Sequence, residues 1–400
     1  MTSTNSIISK QIQLQFQEEM LMLASSRKKL TIGIPKENFS NEKRIAFTPN
    51  TVSFLSENGI RIYVEKGAGE AALFTDAEYS EAGAEIIDEQ EAVFKADVIV
   101  KISPPSDRQI TYLKRNQILI SALNIRTLEK SFFEKLSKKK ITAIALEYIK
   151  DEFFNFPFVQ FMSEISGKVA LNIASNFLME KKGKLLSGIG GHKPSEIVII
   201  GAGHLSESVV KTAIKAGALV KVFDNSVSRL KELEENIKYN VYTSVMYPSV
   251  MRKEFSRADI VIGVLSKLDK GNKEIISKEL MQLMKKDSLI IDLSIDQGSC
   301  FENSELTNYQ QPTFEKKGVT YFAVPNIPSM VPRTASYVLG NLFLQQFSNL
   351  QAYANVNQFL KNDINFRNGL YLYNGILVNQ HISDMFDLPY QDINLILAAF

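Results

Sequence analysis

Between Ile197 and Ser206 the chain reads Ile-Val-Ile-Ile-Gly-Ala-Gly-His-Leu-Ser. An apolar strand runs into glycines and then into helical sequence, the order that a phosphate-binding turn requires. Gly201 permits a tight turn, and Gly203 lets the backbone approach a pyrophosphate facing the amides of a helix N-terminus. Ser206 replaces the third glycine of the usual pattern and is still small enough for close helix-strand packing. Asp224 ends the following strand, where a carboxylate accepts hydrogen bonds from a ribose diol and repels a 2′-phosphate. A bare Gly-x-Gly describes many ordinary strand-helix turns. The added order of strand, helix, second strand and terminal aspartate points to NAD(H). Ala202, His204, Leu205 and the strand end Val264-Leu265 complete the expected cofactor contacts. Arg229 either reaches the adenosine side or is a solvated cation at a helix start.

The elements that position this turn are legible from periodicity. Apolar runs at Leu30–Pro35, Ile60–Glu65, Ala96–Ile102, Gln117–Leu123 and Ile141–Glu147 alternate with helical stretches, as in βαβ units with a parallel sheet. A long helical stretch from about Ser163 to Glu180 and a glycine-rich loop, 187–194, precede a second series. Its strands are Glu196–Gly201, Val220–Asp224, Ile260–Leu265, Leu289–Leu293 and Val319–Val324. After Pro332 the chain reads as largely helical and free to pack back on the first unit. The expected fold is α/β: two doubly wound Rossmann-like domains, the first discontinuous, joined by long helices. The expected division is an N-terminal helical extension at 1–29, a substrate domain at 30–157 plus 333–400, and an NAD-binding domain at 158–332.

Composition sets the outer limits. Four hundred residues, 45% of them hydrophobic, suffice for two cores. Forty-six basic and 44 acidic residues are interspersed and nearly cancel, which argues against nucleic acid and membrane-surface partners. Cys300 is the only cysteine, so an intrachain disulfide is excluded, and His192, His204 and His381 are too scattered for a metal site. No secretory leader and no apolar run of transmembrane length is visible, so a cytoplasmic protein is expected.

Several strings are more specific. They include Ile32-Gly-Ile-Pro-Lys-Glu37, Glu42-Lys-Arg-Ile-Ala-Phe-Thr-Pro49, Val64-Glu-Lys-Gly-Ala-Gly-Glu70 and Met162-Ser-Glu-Ile-Ser-Gly167. Further on come Ile295-Asp-Gln-Gly-Ser-Cys-Phe-Glu302, Pro325-Asn-Ile-Pro328 and Val331-Pro-Arg-Thr-Ala-Ser336. In this order they resemble the alanine dehydrogenase family, which shares its fold with the soluble domain of proton-translocating nicotinamide nucleotide transhydrogenase. The resemblance implies reversible oxidative deamination: L-alanine, NAD and water give pyruvate, ammonia and NADH. It also implies roles. Arg44 matches the arginine that holds the substrate carboxylate, Lys101 the lysine on the substrate oxygen, and Asp296 the proton-handling aspartate. Asn326 matches a contact at the nicotinamide end and Ser163 one near the pyrophosphate. A homohexamer packed through the long helices is implied as well. Without the resemblance, Arg44 reads as a solvated surface residue, Lys101 as a strand-end cation reaching water, and Asp296 as a helix cap.

One departure bears on the chemistry. Where the family places a catalytic histidine, this chain has Asn124. Histidine donates or accepts a proton near neutral pH, whereas an asparagine amide only hydrogen-bonds. The segment after Lys101, Ser103-Pro-Pro-Ser106, also differs from the family's sequence there. Four readings therefore compete: an alanine-type dehydrogenase, a dehydrogenase for a bulkier amino acid or imine, a transhydrogenase subunit, and an NAD-binding protein that has lost catalysis.

Overall fold

A computed structural model describes residues 30–38, 41–265, 276–347, 358 and 362–398; the extension expected at 1–29 lies outside them. The first half supplies strands β1 (Thr31–Ile34), β2 (Arg61–Glu65), β3 (Glu85–Ile87), β4 (Val98–Val100), β5 (Ile118–Ser121) and β6 (Thr142–Ala145). The second supplies β7 (Glu196–Ile200), β8 (Leu219–Phe223), β9 (Tyr242–Ser244), β10 (Ile260–Gly263), β11 (Ser288–Asp292), β12 (Thr313–Lys316) and β13 (Val319–Phe322). Near the C-terminus come β14 (Leu370–Tyr373) and β15 (Ile376–Leu377). They form two sheets, ordered β15-β14-β6-β5-β4-β1-β2-β3 and β12-β13-β11-β10-β7-β8-β9. All pairings are parallel except β6–β14, β14–β15 and β12–β13.

Strands β4, β5, β6, β7, β10 and β11 are buried on both faces, which is why they read as continuous apolar runs rather than alternating ones. In the first sheet Val98, Val100, Ile118 and Ile120 face one core, and Ile99, Leu119 and Ala143 face another. In the second, Ile197, Ile199 and Ile262 face one side, and Val198, Ile200 and Val261 the other.

The C-terminal tail is not simply helical. Its β14–β15 hairpin closes through Asn374 and Gly375, both at positive φ (49° and 82°), and β14 extends the first sheet antiparallel to β6. The Asn-Gly pair is a strong hairpin signal, which the surrounding helical pattern outweighed. The short strands β3, β9 and β12 were likewise not evident, since three or four half-exposed residues leave little periodicity to detect.

Two helices join the halves. Pro157–Lys182 begins with proline at its first turn and ends at Gly183, a left-handed cap (φ 54°), so it is longer than the 163–180 expected. Its Phe158 belongs to the first core, while Ile165, Val169 and Leu178 belong to the second. Helix Pro332–Phe347 runs the other way, with Ala335 in the second core and Leu339 and Phe343 in the first. Each joining helix is therefore anchored at both ends. Among the described residues no helix is long and apolar enough to cross a membrane.

Candidate active site

In open parallel sheets, ligands bind beyond the carboxyl ends of the strands where the order reverses. The first sheet reverses between β1 and β4, the second between β7 and β10. The loops leaving those four strands carry Glu37, Lys101, the Gly201–Gly203 turn and Val264-Leu265.

The nucleotide turn has the required shape. Gly201 sits at φ 109°, and a β-carbon there would meet Leu265 N and Val264 Cγ2 at 3.1 Å. Gly203 faces open space, with nothing within 4 Å of a built β-carbon. Ser206 occupies the third position because its buried hydroxyl donates to Gly201 O at 2.7 Å, stapling the helix His204–Lys215 to the turn. Asp224 is fully buried. It accepts from Ala202 N (2.8 Å) and Ser226 N (2.7 Å), so it orders the turn as well as ending β8. Arg229 Nη1 lies 3.9 Å from the same carboxylate. A hollow bordered by Ala202, Gly203, His204, Glu207 and Arg229 lies beside the turn. Ser163 is half-buried one turn before Gly167, which touches the helix after the glycines at Ser208. This set fits a dinucleotide: open backbone at Gly203, a helix N-terminus, and a carboxylate at the second strand's end.

Gly203 permits a clean test. Gly203→Ala adds a methyl group where the protein leaves room, at an ordinary φ of −84°. Thermal unfolding should change by no more than about 0.5 kcal/mol, as for a neutral surface change. NADH affinity, read by fluorescence titration, should fall at least tenfold, and an unchanged affinity would take the pyrophosphate away from this turn.

The other wall is built from ion pairs. Arg44 forms a two-pronged pair with Glu42, Nε to Oε1 at 2.7 Å and Nη2 to Oε2 at 2.6 Å. Its Nη1 lies 3.3 Å from Met162 Sδ. Glu42 also accepts from Asn326 Nδ2 (3.0 Å) and Ser329 Oγ (2.8 Å), so the two halves of the chain meet on one carboxylate. Burial pushes the Glu42 carboxyl upward, but the charge and hydrogen bonds of Arg44 outweigh it and hold the group below the usual range. Lys101 is 1% exposed and pairs with Glu37 at 2.9 Å. Glu37 also accepts from Ser103 N at 3.2 Å, fixing the loop that leaves β4. Neither cation is the solvated surface group that its type alone suggests.

Asn124 leaves β5 in the left-handed region, at φ 42° and ψ 48°, with its side chain exposed. Two residues on, Arg126 Nη1 donates to Gln297 O across the cleft. Asp296 lies beside that carbonyl on the turn Ile295–Gln297. By area its side chain is open to solvent, yet the walls crowd it. This enclosure raises its carboxyl above the ordinary range; Asp292 adds to the rise and Arg126 opposes it. Asp292 is buried, accepting from Ser294 N and Oγ (3.0 and 2.9 Å) and from Ser299 Oγ (2.5 Å), which stiffens the loop under Asp296. Asn326 also sits at positive φ (55°), pointing its amide at Asn41 O, Glu42 and Ser329.

A run of contacts links these residues: Arg44 and Asn326 share Glu42, Lys101 pairs with Glu37, and Arg126, two residues after Asn124, reaches Gln297 beside Asp296. Sequence reasoning missed Glu37, Glu42, Glu147 and Ser329. Only Glu42 carried a local signal: in extended chain, residues two apart share a face, which places Glu42 beside Arg44.

Known proteins resemble this chain along most of its length. Alanine dehydrogenase 2 of Staphylococcus aureus is 31% identical over 368 residues, covering 91% of this chain and 98% of the relative. The alanine dehydrogenase of Staphylococcus saprophyticus subsp. saprophyticus is 32% identical over 368 residues, covering 91% and 99%. A solved L-alanine dehydrogenase superposes with a TM-score of 0.76 at 30% identity, covering 90% of this chain and 99% of its own. A transhydrogenase from Sinorhizobium meliloti, at 20% identity and a TM-score of 0.71 over 88% and 99%, shares the fold. Residues 33–166 match the N-terminal domain of the alanine dehydrogenase/PNT family and residues 170–380 its C-terminal domain, and the chain belongs to that family.

Proposed function

We propose that this protein is an NAD-dependent amino-acid dehydrogenase of the alanine type, interconverting L-alanine with pyruvate and ammonia. The observation that carries the reading is the cleft itself: Arg44 and Lys101 on one wall, Asp296 on the other, and Arg126 bridging to Gln297 beside the aspartate. Bound NAD supplies the hydride acceptor. Arg44, with Nε and Nη2 held by Glu42, offers Nη1 to a substrate carboxylate. Lys101, with one proton given to Glu37, keeps two donors for the substrate oxygen that becomes the carbonyl. Asp296 takes the proton released as water adds to the imine carbon and returns it as ammonia leaves. Asn124 orients that oxygen by hydrogen bonding but carries no proton. NAD is favoured over NADP because Asp224 stands at the ribose end of the turn.

The direct test is NADH formation with L-alanine, with NADH binding followed in parallel. Absence of turnover with L-alanine, and with pyruvate plus ammonia, in protein that binds NADH would sink the alanine-type reading and leave a dehydrogenase for a bulkier amino acid or the binding-protein alternative. Asn124→His supplies a second measure. Histidine tolerates the left-handed backbone at this position better than most residues. Adding a group that titrates near neutrality should raise kcat for alanine by about 10²-fold, toward the range of general acid-base catalysis. A kcat left unchanged by N124H would show that Asp296 already meets the whole proton demand.

A homohexameric assembly and a cytoplasmic setting belong to the same reading. Phe153, Phe154, Phe156 and Phe161 are exposed ahead of and along the first turns of the long helix, an apolar surface that such an assembly would cover.

A further inference from the structure

Glu147 follows β6 and reaches back to the loop that leaves β5. Its Oε1 accepts from Leu123 N (2.8 Å) and Asn124 N (3.0 Å), and its Oε2 accepts again from Leu123 N at 2.9 Å. These amides belong to the residue held at positive φ and the one before it. The same loop delivers Arg126 to Gln297, next to Asp296. One carboxylate therefore holds the backbone that carries both the side chain at position 124 and one of the contacts between the two halves. The groups facing Glu147 are Arg44, Tyr148 and Tyr371. The Tyr371 hydroxyl is buried and makes no hydrogen bond. The surroundings of Glu147 favour the neutral acid: enclosure raises its carboxyl despite the amides and Arg44.

We propose that Glu147 is a positioning residue for the dehydrogenase reaction: its carboxylate clamps the 123–126 loop against the cleft, and protonation releases the clamp. The proposal rests on the dehydrogenase reading for its kinetic consequences, though not for its structural one. A neutral acid accepts the two amides more weakly than a carboxylate does. The loop then loosens, and misplacement of Asn124 and Arg126 by about 1 Å is enough to cost about 10²-fold in rate. The sign of the stability effect is opposite. A carboxyl raised in the folded state favours the fold most when protonated, below its unfolded value, and that contribution is lost as pH rises through the folded value. Ionised Glu147 is thus held at a cost to stability, in exchange for a fixed loop.

Glu147→Gln separates this from a structural role. At pH 8 it should unfold no earlier than the parent, while kcat/KM for alanine falls by about 10²-fold and NADH affinity stays the same. As pH falls, the parent loses its clamp, so the ratio of parent to variant rates should shrink toward one. Glu147→Asp, one methylene short of the loop, should be intermediate in rate and keep the pH-dependent ratio. Amide exchange at Leu123 and Asn124 reads the clamp without any turnover, and should accelerate at least tenfold in E147Q at pH 8. Unchanged exchange overturns the proposal, as does a rate ratio that does not vary with pH in an active enzyme. A parent that binds NADH but turns over no amino acid overturns the dehydrogenase reading instead, and leaves the exchange result to decide the clamp.

Discussion

Arg44→Ala is expected to reduce kcat/KM for L-alanine by at least 10³-fold and to destabilise the fold by about 3–5 kcal/mol, the range for stripping one partner from a buried pair. The two losses have different origins. The catalytic loss comes from Nη1, the donor that Glu42 leaves unclaimed, and it should appear in KM as well as in kcat. The loss of stability comes from Glu42, which is 8% exposed and in the variant keeps only the Asn326 amide and the Ser329 hydroxyl as side-chain donors. Glu42 is held below the usual carboxylate range, so the pair's contribution is present above the unfolded value and lost as pH falls through the folded one. In Arg44→Ala that depression disappears. The stability difference between parent and variant should then narrow as the solution is acidified. Arg44→Ala combined with Glu42→Gln should recover most of the denaturation midpoint, since no buried charge remains, while activity stays lost. Recovery of activity along with stability would show that Arg44 acts through the packing of Glu42 and never on the substrate.

Much of this molecule is legible in its sequence, for identifiable reasons. Strands β4, β5, β6, β7, β10 and β11 are covered on both faces, and that burial writes contiguous apolar runs into the chain. The nucleotide turn is legible because its geometry needs glycine at 201 and open backbone at 203, and few residues meet both demands. Arg44, Asp296 and Asn326 lie in strings that resemble the family's closely enough to be aligned one residue at a time. The rest depends on meetings between distant segments. Glu37 serves the backbone at Ile102 and Ser103, Glu147 serves Leu123 and Asn124, and Ser329 reaches Glu42 from nearly three hundred residues away in sequence. In sequence each is one more charged or hydroxyl residue in a chain with 44 acidic side chains. Asp224 shows a subtler gap. Its place at the end of β8 is predictable, but its work for Ala202 and Ser226 appears only once both turns are folded beside each other.

Asp296→Asn is expected to cost about 10²–10⁴-fold in kcat/KM for L-alanine, the span of general acid-base catalysis, with NADH affinity essentially unchanged. The high end is favoured because position 124 holds an amide and neither His204, beside the glycine turn, nor His192 or His381 lies among the residues around Asp296. The loop should survive the substitution. Its conformation is carried by Asp292, Ser294 and Ser299, and by Gly298 at φ 94°, not by the Asp296 side chain. Stability should not fall at neutral pH. The Asp296 carboxyl is raised by its enclosure and by Asp292, so its ionised form is the one the fold disfavours. The pH profile makes the assignment specific. Activity of the parent should decline as pH falls through a value above the ordinary carboxylate range, because protonated Asp296 has no site for the proton released when water adds. In D296N that limb should vanish, leaving only the dependence set by Glu147. Asn124→His in the D296N background should then restore part of the rate with a limb near the histidine range, since the proton has a new acceptor on the opposite wall. If D296N keeps both the parental rate and the parental acid limb, the proton passes elsewhere, and the carboxylate belongs to the loop instead of the reaction.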